Sequence, residues 1–147
     1  SWPAPPPGSP SPPAPDPGRA VTVNPAGVPA TNGMYSHAVR VGDMLYVSGQ
    51  AAFDENGDVV GEGSMEAQAE HVFENLSRIL ADQGATFADL AFVRTYLTDM
   101  DDRLAYGRVR RKYITGTPPA STTVEVSRLF MPGLLLEVDA IVALPRR

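Results

Sequence analysis

The feature that most constrains the fold is the run SMEAQAEHVFENLSRILADQG, residues 64–84. Val72, Leu76, Ile79 and Leu80 recur there at helical spacing, Ser64 can cap the start, and Gly84 can close the end in a left-handed conformation. A helix with a single apolar stripe must bury that stripe against another layer. The sequence around it supplies strands: AVTV (20–23), SHAVRV (36–41), MLYVSG (44–49), LAFVRTYLTD (90–99), STTVEVSRL (121–129) and LLEVDAIVAL (135–144). Gly42-Asp43 between two β-rich runs reads as a hairpin turn, DENGD (54–58) as a turn, and Pro132-Gly133 as the turn joining the last two strands. A second helix, DDRLAYGRVRRKYI (101–114), opens on acidic residues that suit its positive end and is expected to bury Ala105, Val109 and Tyr113. The predicted order is ββ(β)αβαββ. It corresponds to an α+β sandwich with both helices on one face of a mixed sheet.

The first 18 residues are of another kind. They hold nine of the chain's 15 prolines and almost no apolar side chain except Trp2, so they cannot build a core and favour extended polyproline II. We therefore divide the chain of 147 residues into a Pro-rich N-terminal tail, 1–18, and one domain, 19–147. The tail reads either as a disordered extension or as a stiff arm that docks Trp2 on a neighbouring subunit.

Composition excludes several classes. A hydrophobic content of 43% with 20% charged residues is that of an ordinary soluble domain, and no run approaches the ~20 apolar residues that cross a bilayer. The net charge of −5 opposes binding to nucleic acid, which draws its affinity from clustered cations. Arg108, Arg110, Arg111 and Lys112 are read as a solvated helix face. With no cysteine there is no disulfide framework, thiolate nucleophile or Cys-ligated zinc, which fits a cytoplasmic protein. His37 and His71 sit on different predicted elements, and no serine has the nucleophile-elbow glycines. No dinucleotide or Walker loop is present, and Asp99, Asp101 and Asp102 are explained by a helix start. We expect no metal and no cofactor.

Strand alternation then points to a site. In the last strand, Leu136, Val138, Ala140 and Val142 form one apolar face, while Glu137, Asp139 and Ile141 form the other. Taking Val124 and Val126 as inward residues places Ser121, Thr123 and Glu125 on the face of Glu137. The strands at 44–48 and 90–99 add apolar residues to that face, more than a monomer usually exposes, so a second subunit is expected to cover it. Glu137 follows three leucines. A carboxyl group in such a setting has its pKa raised toward neutrality and can move protons.

Four motifs carry a resemblance to a known family: GDMLYVSGQ (42–50), RTYLTDMDD (94–102), PPASTTVEVSRL (118–129) and LLEVDAIVAL (135–144). In this order, with the long helix between the first two, the chain resembles the RidA/YjgF family over residues 20–147. The resemblance implies a chorismate-mutase-like α+β fold assembled as a homotrimer, with open sheet faces packed into a barrel-like centre and clefts between subunits. It implies hydrolysis of enamines and imines, such as 2-aminoacrylate, without metal or organic cofactor. Carried over by motif, Tyr35 reaches into the cleft, Ser48 and Gly49 form its wall, and Glu137 positions or activates water. The chain departs from the family at PPASTTVEV. Where the deaminases carry a carboxylate-gripping arginine and usually a cysteine two positions later, it has Ser121 and Thr123 on either side of Thr122, and Gly107 stands where an asparagine is common. A serine hydroxyl does not replace a bidentate guanidinium. Three readings follow: a hydrolase of atypical imine or enamine specificity using Glu137, Thr123 and Tyr35; a small-metabolite-binding or chaperone-like module; or a biosynthetic enzyme that reuses the cleft for condensation, cyclisation or rearrangement. The expected partners are a small-molecule ligand and two further copies of the chain.

Overall fold

The computed structural model describes residues 2–12 and 19–146. The boundary placed at residue 18 therefore lies outside the described residues. Six strands form one mixed sheet: β1 (Ala20–Val23), β2 (Ala38–Val41), β3 (Met44–Gln50), β4 (Leu90–Leu97), β5 (Ala120–Glu125) and β6 (Leu136–Ala143), in the spatial order β1-β2-β3-β6-β4-β5. All neighbours are antiparallel except β4 and β5, which run parallel and are joined through helix α2 (Arg103–Tyr113). Helix α1 (Met65–Asp82) connects β3 to β4, and both helices cover the same sheet face.

Local chemistry sets the element boundaries. The Ser64 hydroxyl accepts a hydrogen bond from the Ala67 amide (3.1 Å), and Gly84 closes α1 at φ 70°. Gly42 takes φ 59°, the positive value that a two-residue hairpin turn favours, and sets the register Val41 opposite Met44.

The core lies between α1, α2 and the covered sheet face. Leu45, Val47, Val93, Leu97, Leu136, Val138, Ala140 and Val142 meet Val72, Phe73, Leu76, Ile79 and Leu80 of α1. From α2 the buried residues are Tyr106 and Val109, with Ala105 and Tyr113 only partly covered. Tyr106 enters the core because its hydroxyl finds a partner there, the Thr95 side chain at 2.6 Å. Phe73 stacks on Tyr113 (5.1 Å between centroids) and on Tyr106 (6.1 Å), so aromatic contacts lock the helices to each other. Buried Gln68 donates to the carbonyls of Gly61 (3.3 Å) and Gly133 (2.9 Å) and accepts from the Leu135 amide (2.8 Å). One α1 side chain thereby fixes the chain just before β6 and so fixes where Glu137 enters the sheet.

Two expectations need correction. The strand predicted over 121–129 ends at Glu125, because its partner β4 ends at Leu97, whose carbonyl takes the last bond, from Val126 at 2.8 Å. Residues 126–135 form a loop instead. The face assignment of β5 is also reversed. Thr123 pairs with fully buried Thr95, and Ser121 pairs with buried Val93, so Ser121, Thr123 and Glu125 look toward the helix side. Thr122 and Val124 share the open face with Arg94 and Tyr96. That open face also carries exposed Val41 and Tyr46, with Asp139 held by Arg94 (2.8 Å) and by the Tyr96 hydroxyl (3.1 Å).

Candidate functional site

A break in the β3–β6 ladder builds the site. Val47 pairs with Ala140 and Gln50 with Val138, so β3 spends one more residue than β6 over this interval. The extra residue is a β-bulge at Ser48 and Gly49, and bulges re-aim side chains next to functional sites. Gly49 is brought against Glu137 so closely that a Cβ at position 49 would lie 2.5 Å from Glu137 Oε2 and 2.6 Å from its Cδ. Real Cβ atoms do not approach other atoms that closely, so only glycine admits Glu137 in this position.

Glu137 and Gly49 open onto a hollow of about 420 Å³, shared with Tyr35 and Ser48. The four residues that the family resemblance names for one wall of the cleft are thus brought together by a single chain. Burial pushes the Glu137 carboxyl above the usual carboxylate range, and the negative charge of Asp139 adds to the effect. The Tyr35 phenol is likewise raised, first by burial and then by Glu137, and it stays a hydrogen-bond donor at neutral pH. Ser48 gives its hydroxyl proton to the Ser36 carbonyl (2.6 Å), which leaves its oxygen as an acceptor toward the hollow.

The histidine beneath this wall is structural. Its Nε2 donates to the Pro29 carbonyl (2.5 Å) and its Nδ1 accepts from Gln50 Nε2 (3.1 Å), which leaves buried His37 no free nitrogen. His71 meets the Phe53 carbonyl at 3.2 Å. Among the described residues no group of three or more metal-ligating side chains is assembled.

Four residues assigned to the cleft from sequence do not reach Glu137 within one chain. Thr122 lies on the open sheet face, and Ser121 and Thr123 on the helix side. Gly107 borders a separate hollow of about 450 Å³ with Arg110 and Pro118. The Ser121 hydroxyl accepts a hydrogen bond from Arg110 Nη1 (3.2 Å), so an α2 arginine engages this end of β5. Arg94 and Arg108 are paired with Asp139 and Glu66. Three residues that line the Glu137 hollow were not expected there: Arg128, Leu129 and Phe130. Arg128 and Leu129 were hidden by the strand predicted through 129, and Phe130 follows directly on them. Trp2 lines the hollow as well.

A mixed sheet with one helix-covered face, one open face and an acid in a half-buried hollow at a strand bulge defines a small α+β protein. The chain belongs to the RidA/YjgF family. The family model described as Endoribonuclease L-PSP matches residues 26–144. The chain is 41% identical to Protein DfrA of Myxococcus xanthus over 77% of its own length and 87% of that protein. It is 34% identical to 3-aminoacrylate deaminase RutC of Acinetobacter baylyi over 80% of this chain and 92% of the relative. The crystal structure of RidA from Psychrobacter sp. matches with a TM-score of 0.77 at 33% identity, covering 84% of this chain and 99% of that one. Membership of a family that includes a deaminase supports deaminase-like chemistry in general terms.

Proposed function

We propose that the protein hydrolyses an imine or enamine, or a related small metabolite, by activating water at Glu137. The observation that carries this reading is the contact between Gly49 and the Glu137 carboxyl, which keeps a raised-pKa acid at the wall of a hollow. In the proposed reaction the Glu137 carboxylate accepts a proton from water as the water oxygen bonds to the C=N carbon. Glu137 then returns the proton to nitrogen to give the carbinolamine, takes the carbinolamine hydroxyl proton and delivers it to nitrogen as the C–N bond breaks and C=O forms, and ketone and ammonia leave. The Tyr35 hydroxyl donates to developing charge, and Ser48 accepts from a substrate N–H. Neither metal nor organic cofactor is required by this scheme. The family model's description refers to an endoribonuclease, but a net charge of −5 opposes binding of a polyphosphate.

The active form in this reading is a homotrimer. Val41, Tyr46 and Val124 are exposed on the open face, and covering them with neighbouring copies removes apolar surface from water. Ser121, Thr122, Thr123 and Gly107 could then meet Glu137 only across a subunit boundary. In place of the family's arginine that boundary carries Ser121, whose oxygen is already engaged by Arg110, and this argues for a substrate other than 2-aminoacrylate. The test is to generate a panel of imines with amino-acid oxidases, trap them with semicarbazide, and measure how far the protein diverts each to its keto acid. Diversion of larger imines with little effect on 2-aminoacrylate is expected. Turnover of 2-aminoacrylate as fast as any larger imine would refute the specificity reading, and no turnover of any imine would leave the cleft a binding site.

A further inference from the structure

The hollow beside Glu137 has a wall that comes from outside the family's common segment, which begins at residue 26. The arm is turned once between Pro6 and Ser9 and lies against the Asn32-Gly33 turn. Both turn residues take positive φ, 57° and 77°. Asn32 Nδ2 donates to the Trp2 carbonyl (3.3 Å), and a Cβ at Gly33 would sit 3.9 Å from Pro5 Cγ. A proline-rich arm loses little backbone entropy on docking, so one hydrogen bond and these contacts suffice to place the indole. On the same hollow, Phe130 packs edge-on against Phe53 at 5.8 Å between centroids and is still 41% exposed. Arg128 borders the same hollow and takes part in none of the salt bridges among the described residues.

We propose that Trp2, Phe130 and Arg128 determine specificity at this hollow, and that together they select a carboxylate bearing a flat apolar group. Two aromatic rings take up a planar apolar body, while a guanidinium with no salt bridge among the described residues takes a carboxylate. A ligand with only one of those parts leaves either the rings or the cation unsatisfied. This inference rests on the Glu137 hollow being the ligand site, and it names the class of substrate that site would take.

Trp2 is the single tryptophan of the chain, so its fluorescence reports on this wall alone. The probes are 3-phenylpropionate, propionate and 3-phenylpropanamide, titrated against the full chain, with ligand-observed NMR supplying affinities where the fluorophore is absent. Saturable change in Trp2 emission is expected with 3-phenylpropionate, at an affinity about tenfold or more above each of the other two. Trp2→Ala should erase the advantage over propionate, and Arg128→Gln the advantage over the amide. Asn32→Ala, which keeps the indole but frees the arm, should shift the emission toward that of a solvated tryptophan and weaken 3-phenylpropionate. Equal affinities for the three probes, or unchanged affinities in Trp2→Ala and Arg128→Gln, would overturn the proposal. Probe binding with this pattern but no imine turnover would sink the hydrolytic reading alone. Imine turnover indifferent to Trp2→Ala and Arg128→Gln would sink this inference alone.

Discussion

Replacing Gly49 by alanine separates the role of Glu137 from the stability of the fold. The backbone at Gly49 does not use positive φ, so alanine is conformationally acceptable. The new methyl carbon would sit 2.5 Å from Glu137 Oε2 and 2.8 Å from its Cγ. Ordinary carbon–oxygen contact lies near 3.4 Å, so the carboxyl must retreat by about 0.9 Å. Glu137 is a flexible side chain facing a hollow, and a rotamer change of that size costs about 0.5–1.5 kcal/mol. A 1 Å displacement of a reacting group can cost about 10²-fold in rate. Gly49→Ala should therefore melt within a few degrees of the parent protein yet lose about 10²-fold in turnover of the best imine. The assays are thermal unfolding and the semicarbazide competition on the same preparation. A variant that is as active as the parent would refute the reasoning, because the carboxyl would then act from a position the methyl group does not disturb.

Other expectations can be tested alongside. Because its pKa is raised on folding, Glu137 holds its proton in the native state over a window, between the ordinary carboxylate value and the raised one, in which the unfolded chain has released it. Stability then falls as pH rises through that window, so Glu137→Gln should gain stability relative to the parent between pH 4 and pH 8 in denaturant titrations. A pH-independent difference between the two would contradict the burial of the carboxyl. Val124→Asp places a charge on the exposed apolar face and should shift the molar mass by light scattering from three chains to one at micromolar concentration. A parent protein that is already monomeric there would overturn the proposed assembly. Phe73 is fully buried between Tyr106 and Tyr113, and Phe73→Ala should cost about 3–5 kcal/mol in denaturant unfolding.

Those residues also show what was legible in the sequence. The two helices, the Gly42 hairpin and the alternation of β6 were readable because each follows from a strong local rule: helical spacing, positive φ at a turn, and a period of two across a half-buried strand. Glu137 was readable for the same reason, since its neighbours along β6 assign the face without ambiguity. The phase of β5 was not. Its valines share one face with Thr122 while Ser121, Thr123 and Glu125 form the other, and the open face is itself apolar, so taking the valines as inward chose the wrong side. Only the register with β4, which pairs Thr123 with buried Thr95, settles the matter. Arg128 and Leu129 were hidden because SRL continues the strand pattern after β4 has no residues left to pair with it. The bulge at Ser48-Gly49 exists only as a mismatch between two strands, and no single strand announces it.

The most direct test of the account is the turnover of Glu137→Gln. Glutamine keeps the shape and burial of the side chain but cannot take a proton from water. With the imine that the parent protein converts fastest, the account expects a loss of about 10² to 10⁴-fold, with molar mass and unfolding curve at neutral pH giving an intact protein. Turnover equal to that of the parent would show that no proton passes through Glu137 and would remove the proposed reaction from this hollow.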